Sequence, residues 1–294
     1  MTIHGAALMS LLTAGVVCAQ PALETIAIQP NFFMIAGAGG NIAVQVGADG
    51  VLVVDTGAAQ FTPAVLAEIR KLSPQPVRYI INSSADADHV GGNEKLAKTN
   101  SPIAVIVGTE NVLNRMSSAA DYGIDAMPTE TFFQKQKAMY FNKEGIQILA
   151  RPGAHSDADA VVFFRRSDVI VAGDIFDTRH FPMIDTAHAG TIQKEIDALN
   201  FLIELAIPSI PMMWQDGGTV VIPGHGWVAD QADVVEYRDM VTIVRDRVAS
   251  YKKKGMTLDQ VKAANPTAGY RGRYGTDTGA WTTDMFVEAI FKTL

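Results

Sequence analysis

Cysteine is almost absent from these 294 residues, Cys18 being the only one. A lone cysteine closes no intramolecular disulfide, and a centre built on several thiolates is excluded with it. Basic residues are also scarce, 24 Lys and Arg against 31 Asp and Glu, for a formal net charge of −7. Lys252-Lys253-Lys254 is the one cationic run, so nucleic acid and anionic membrane surfaces are disfavoured as partners. No internal repeat or low-complexity block divides the chain. Charge is missing altogether from Met1 to Ala19, where an apolar run, Ala6 to Ala19, ends in Val17-Cys18-Ala19 before Gln20-Pro21. That reads as a secretory signal over residues 1–19 with a small-x-small-like cleavage site, although the basic leading segment is missing. A buried N-terminal helix or an uncleaved anchor is the alternative, and the run is short for a membrane span. Lipidation of Cys18 is weakened by Val17. The expectation is a periplasmic or secreted protein whose residues 20–294 form one domain, with no membrane association beyond export.

What is present is a regular alternation of short elements. Thr25 to Ile28, Phe32 to Ile35, Asn41 to Val46 and Val51 to Val54 read as an antiparallel meander, with Asp49-Gly50 marking a tight hairpin. Thr62-Pro63 opens a helix to about Leu72, with Val65, Leu66, Ile69 and Leu72 on one face. Further strands are expected at Val77 to Ile81, Ile103 to Val107, Ile146 to Ala150, Ala160 to Arg165, Val169 to Ala172 and Thr219 to Ile222. Helices are expected from Gly91-Gly92-Asn93 to Thr99, Thr109 to Ala119, Thr191 to Ala206, Asp230 to Tyr251, Thr257 to Ala264 and Trp281 to Phe291. Residues 121–143 give no firm assignment. Strands and helices alternating in two halves point to two sheets covered outside by helices, an α+β class.

The chemistry concentrates at strand ends and Gly-rich turns, where loops from a rigid sheet converge on a cleft. The candidates are Asp86, Asp88 and His89 after the strand ending at Ile81; His155 in Pro152-Gly153-Ala154-His155; Asp174 in Ala172-Gly173-Asp174; and His225 in Pro223-Gly224-His225-Gly226. Three of the chain's six histidines fall in this ordered set. A single histidine of this kind is usually a surface or hydrogen-bonded residue, but the set as a whole points to metal ligation.

The loop from Ile81 to Asn93 resembles the His-x-His-x-Asp-His signature of the metallo-β-lactamase superfamily. Ser84 stands at the first histidine position and Asp86 at the second, while Asp88 and His89 match. The resemblance extends from Gly40-Asn41 and Val54-Asp55-Thr56-Gly57 to Pro223-Gly224-His225-Gly226, and it implies a four-layer αββα sandwich. It further implies one or two metals and hydrolysis of an ester, thioester, amide or phosphodiester by metal-activated water. In the family the first metal is held at the positions of Ser84, Asp86 and His155, a set that is compromised here. The second is held at the positions of Asp88, His89 and His225, with Asp174 bridging, and that set is complete.

The resemblance therefore implies one zinc ion, with a second possible and with iron or manganese as further candidates for the same donors. Asp88 is expected to position the attacking water, and Asp86 to be a general base, a proton shuttle or a solvent-facing loop carboxylate. Alternatively, Asp86, His155 and Asp174 form an oxygen-rich site for a harder ion such as Mn²⁺ or Ca²⁺. The Gly-Asp turn at Asp174 resembles the glyoxalase II and phosphodiesterase branches. Asp55 matches a position behind the ligands. Ser83 and Ser84 read as hydrogen-bonders of the loop. Arg179, His180 and Phe181 are candidates to face the cleft, and residues 266–281, with Tyr270, Arg271, Arg273, Tyr274 and Trp281, form either a lid whose arginines meet an anionic substrate or packing for the last helix. The expected partner is a small-molecule substrate, and the competing function is a pseudoenzyme in which the absence of two histidines abolishes hydrolysis and leaves a binding or scaffold role in the cleft. Nothing in the sequence points to an oligomeric state.

Overall fold

The computed structural model describes residues 23–99, 101–209 and 217–294, so the predicted signal at residues 1–19 lies outside the described residues. A seven-stranded sheet contains β1 (Glu24–Gln29), β2 (Phe32–Ala38), β3 (Gly40–Gly47), β4 (Gly50–Val54), β5 (Val77–Ile81), β6 (Val105–Thr109) and β7 (Glu130–Phe132), in that spatial order. Its first four strands are an antiparallel meander and its last three are added in parallel. A five-stranded sheet contains β8 (Gln136–Phe141), β9 (Glu144–Ala150), β10 (Ala160–Phe164), β11 (Val169–Asp177) and β12 (Val220–His225), with β12 parallel to β11 at one edge. The helices are α1 (Thr62–Leu72), α2 (Ala87–Val90), α3 (Asn93–Ala97), α4 (Glu110–Ser118), α5 (Ile192–Leu205), α6 (Gln231–Lys253), α7 (Leu258–Ala263), α8 (Arg271–Tyr274) and α9 (Thr283–Thr293). Among the described residues no helix is long and apolar enough to cross a membrane.

The period-two alternation of each strand separates the layers. Leu52 and Val54 from the first sheet meet Ile148, Val162, Val171 and Ile222 from the second in a shared buried core. Their neighbours face outward: Val51 and Val53 pack with Val65 and Ile69 of α1, while Val161, Ile170 and Val221 pack with Leu199 of α5, Tyr237 and Val241 of α6, and Phe286 of α9. The result is the expected αββα order of layers. The expected helix starts at Thr191, Asp230 and Thr257 are caps, each side chain accepting from backbone N–H groups of the first turn, and Asp230 and Thr257 complete reciprocal capping boxes.

Several boundaries differ from the sequence expectation. The strand expected at Ile103 to Val107 runs over Val105–Thr109 instead, because it pairs in parallel with Tyr79 to Ile81 and then with Glu130 to Phe132. The unassigned stretch supplies β7 and all of β8, whose polar residues sit on exposed faces and hide the alternation. Strands β11 and β12 continue beyond Ala172 and Ile222, with Gly173 opposite Pro223 and Asp177 opposite His225. Asp174 and His225 therefore belong to paired, irregular strand ends, which fix a side chain more firmly than a free turn.

Candidate metal centre

The loop after β5 is fastened at both ends. Asn82 and Asn93 exchange side-chain hydrogen bonds at 2.9 and 3.1 Å, and the Thr56 hydroxyl lies 3.0 Å from the His89 carbonyl while accepting from Gly92 N–H. Asp55 takes a left-handed backbone, φ 64°, and is buried beneath the loop. Its carboxylate accepts from Ser83 N–H at 2.8 Å and from the Ser83 hydroxyl at 2.5 Å, and its Oδ2 lies 2.8 Å from His89 Nδ1. Ser84 is buried and accepts from Asp86 N–H at 3.3 Å. Both serines thus hold the loop together, and the short α2 inside it presents Asp88 and His89.

The opposite nitrogen of His89, Nε2, lies 2.8 Å from Asp174 Oδ1. From β12, His225 Nε2 lies 3.4 Å from both Asp88 Oδ2 and Asp174 Oδ1. On the other side of Asp174, His155 Nε2 lies 3.8 Å from Asp174 Oδ2 and 3.0 Å from Asp86 Oδ2, while its Nδ1 is 2.8 Å from the Met183 carbonyl. All six residues singled out from the sequence meet here. They fall into two groups whose donor atoms lie within 4.8 Å of one another, Asp88 with His89 and His225, and Asp86 with His155 and Asp174.

This donor set fits a divalent metal. Ligands about 2.1 Å from a tetrahedral ion sit roughly 3.4 Å apart, the separation His225 keeps from both carboxylates. His89 and His155 each give their outer nitrogen to a carboxylate or a carbonyl, which fixes the ring and leaves the inner nitrogen as the donor. Two oxygens of Asp174 face different groups, the arrangement of a bridging carboxylate.

Close backbone approach sets the spacing. A methyl group on Gly224 would lie 2.7 Å from the Gly173 carbonyl and 3.0 Å from Asp174 N, so only glycine lets the His225 strand come this near.

The imidazoles and carboxylates of the site shift one another's proton affinities. Burial opposes charge on His89, yet Asp174 and Asp55 outweigh it and hold the ring well above its usual pKa. His155 behaves alike: burial works against its charge, but the hydrogen bond to Asp86 and the fields of Asp174 and Asp159 raise it to about 10. Burial pushes Asp174 upward, but His89 and the other two imidazoles draw it well below the carboxylate range.

Several expectations change. Asp86 is no solvent-facing loop carboxylate: its Oδ1 accepts from Arg115 Nη2 of α4 at 3.0 Å, and Arg115 was not foreseen. An arginine in mid-helix carries no local sign of this role. Asp177 was also missed, though the Asp177-x-x-His180 spacing is a visible signal. Its carboxylate lies 2.8 Å from His180 Nδ1, and both line a cleft of about 360 Å³ over the ligands. Phe181 lines the cleft as expected, whereas Arg179 does not. From the 266–281 segment only Thr276, Thr278, Gly279, Ala280 and Trp281 contribute to the wall. Arg271 and Arg273 turn outward to Asp277 and Glu236, so no lid of arginines meets a substrate.

The sequence profile of the Metallo-beta-lactamase superfamily matches residues 36–225, well over half of the chain and every residue of the ligand set. The chain belongs to the metallo-β-lactamase superfamily. Membership supports a metal-dependent hydrolase at the coarse level, and the paired donor groups agree with it. No curated protein is significantly similar in sequence. Among solved structures, the stereoselective inverting sec-alkylsulfatase Pisa1 from Pseudomonas sp. superposes with a TM-score of 0.72 at 14% identity, over 92% of this chain and 50% of that one. The chain thus spans half the length of that enzyme. A metallo-beta-lactamase from Pontibacter korlensis gives 0.61 at 18% identity, over 75% of this chain and 99% of the other, and DIM-1 metallo-beta-lactamase gives 0.59 at 16%, over 76% and 98%. At these identities the likeness is one of superfamily fold.

Proposed function

We propose that this protein is an exported metallo-β-lactamase-fold hydrolase whose metal, zinc first and iron or manganese next, is held by Asp88, His89 and His225 with Asp174 alongside. The observation that supports this best is His89, buried and fixed by Asp55 on one nitrogen while the other faces Asp174 and the His225 group. A buried imidazole so oriented serves ligation better than packing. A metal bound there supplies Lewis acidity and a water of lowered pKa.

The protein's own groups do the rest. Asp88, its side chain partly exposed to the cleft, orients water through the oxygen not engaged with His225. Asp86 and His155, 3.0 Å apart and both lining the cleft, form an acid–base pair that accepts and returns a proton. Phe181, Met183 and Trp281 exclude water from the wall above them. The six-donor arrangement also leaves room for a second ion between Asp86, His155 and Asp174.

Elemental analysis of the purified protein after zinc, iron or manganese supplementation, joined to a hydrolase screen, tests the proposal. About one metal equivalent, lost in His225→Ala, is expected, and no bound metal would refute it. Export is tested separately by the N-terminal mass of the protein recovered outside the cytoplasm, expected to begin after Ala19.

A further inference from the structure

His180 stands on the cleft wall outside the donor set. Asp177 holds it: one carboxylate oxygen accepts from the backbone N–H groups of Arg179 and His180 at 2.6 and 3.1 Å, and the other lies 2.8 Å from His180 Nδ1. With Nδ1 engaged, the ring offers Nε2, which has no hydrogen-bond partner among the described residues. The mounting is firm. Asp177 lies opposite His225 in the β11–β12 register, Thr178 N–H donates to the His225 carbonyl at 3.2 Å, and the His180 carbonyl accepts from the Tyr237 hydroxyl at 2.9 Å. Phe181, next along the chain, stacks on Phe286 with ring centroids 4.8 Å apart. Contacts on both sides of the pair therefore tie it to the strand that carries His225.

The same turn forms again at Asp185-Thr186-Ala187-His188. Asp185 accepts from the N–H groups of Ala187 and His188 at 3.1 and 3.2 Å, and its other oxygen lies 2.5 Å from His188 Nδ1. Both histidine side chains are 48% exposed. The turn therefore fixes a ring wherever it forms, and only location separates the two copies. His180 lines the cleft with Asp86, Asp88, Asp174 and His225, while His188 lines a separate depression beside Arg115 and Tyr122.

Acyl hydrolysis moves protons at two places: the attacking water loses one, and an alkoxide or amine gains one as it departs. Asp86 and His155 serve the first need. Of the lining side chains outside the donor set only Asp177 and His180 exchange protons readily, and both oxygens of Asp177 are already taken. We infer that, given the hydrolase reading above, His180 is the acid that protonates the leaving group. As the water oxygen bonds to the acyl carbon, the bond from that carbon to the leaving oxygen or nitrogen breaks and its electron pair stays on the leaving atom. The Nε2 hydrogen of the doubly protonated ring passes to that atom. Asp86 and His155 then release the water's proton, and the His180 ring regains one through solvent, so each cycle restores both groups. The site suits alkyl esters and amides, whose leaving groups depart poorly without a proton.

The test compares the zinc-loaded full chain with His180→Gln and His188→Gln on the p-nitrophenyl, phenyl and ethyl esters of hexanoic acid. p-Nitrophenolate leaves without help and ethoxide does not. In His180→Gln kcat for the ethyl ester is expected to fall roughly 100-fold and that for the p-nitrophenyl ester by less than about threefold, with the phenyl ester between them. His188→Gln, which alters the same turn away from the cleft, is expected to match the parent on all three. Zinc content and melting temperature, measured beside the rates, are expected to be the same in His180→Gln as in the parent. An equal loss on the three esters, the same leaving-group pattern in His188→Gln, or a loss of zinc in His180→Gln would overturn the inference while leaving the hydrolase reading intact. No turnover of any ester by the zinc-loaded parent would instead count against the hydrolase reading and remove the inference with it.

Discussion

Arg115 on α4 donates to Asp86 Oδ1 at 3.0 Å, and the other oxygen of the same carboxylate lies 3.0 Å from His155 Nε2. The two residues are 29 positions apart, and the guanidinium also sits 3.5 Å from Asp185 and 3.9 Å from Asp157. Asp86 is therefore clamped between a permanent cation and an imidazole. The clamp keeps a short, charged side chain aimed at the cleft. Burial raises the Asp86 pKa, but the hydrogen bond to His155, its charge and that of Arg115 more than offset this, leaving it lowered.

Replacing the clamp tests it. Arg115→Met leaves three carboxylates without their shared cation and should cost about 2 kcal/mol of stability at pH 7, read by urea unfolding of the metal-free protein. A carboxylate with a depressed folded pKa contributes stability above its unfolded value near 3.8, and this is lost as pH falls through the folded pKa. The deficit of Arg115→Met should therefore shrink below pH 4, and a deficit independent of pH would refute the clamp.

Asp55 determines which nitrogen of His89 carries the proton. In Asp55→Asn an amide N–H would face either the Ser83 hydroxyl or His89 Nδ1, both of which donate to the carboxylate in the native arrangement. The ring is then driven to the tautomer with its proton on Nε2, pointing at Asp174. Zinc affinity, measured by chelator competition, should fall roughly 10- to 100-fold. An unchanged affinity would mean that His89 is not a ligand.

Gly224→Ala probes the approach of β12 to the Gly173-Asp174 turn. Its methyl would sit 2.7 Å from the Gly173 carbonyl carbon and oxygen, so the strands must part. We expect a loss of roughly 1–3 kcal/mol by urea unfolding, together with a reduced zinc stoichiometry. Gly272→Ala, whose added methyl meets nothing within 4 Å, is the control and should match the parent in both measurements.

Glu195 on α5 is fully buried, and neither carboxyl oxygen has a hydrogen-bond partner among the described residues. Burial, with the fields of Asp159 and Asp174, raises its pKa well above the ordinary range. A carboxyl whose folded pKa is raised binds a proton more tightly when folded, so its stabilising effect is complete below the unfolded value near 4.5 and is lost as pH rises. Glu195→Gln should therefore gain in melting temperature relative to the parent between pH 5 and pH 8. A difference that is the same at both values would show that Glu195 does not titrate with folding.

Most of the fold was legible because it is written in local periods and caps. Val161 and Val162, or Val53 and Val54, face opposite layers as strand alternation requires, and Thr191, Asp230 and Thr257 start helices where their side chains find unbonded N–H groups. β7 and β8 were not legible, since strands with polar exposed faces differ little from loop. The order Asp88-His89, His155, Asp174, His225 could be read as a ligand set, as could the substitutions at Ser84 and Asp86.

By itself, the sequence determined the layers, the family and the candidate donors, because hydrophobic period, capping and motif spacing act over a few residues. Tertiary structure alone decided what those donors do. Asn41 of β3 donates to the Pro223 carbonyl across 182 residues at 2.9 Å, tying the meander to the His225 strand, and no local rule encodes that contact. The same packing aims the two oxygens of Asp174 at different histidines, sets Arg115 behind Asp86 and turns Arg271 and Arg273 away from the cleft. Which atoms meet depends on how two sheets pack about 10 Å apart. That decides whether Asp86 ends in solvent or, as here, is a clamped carboxylate.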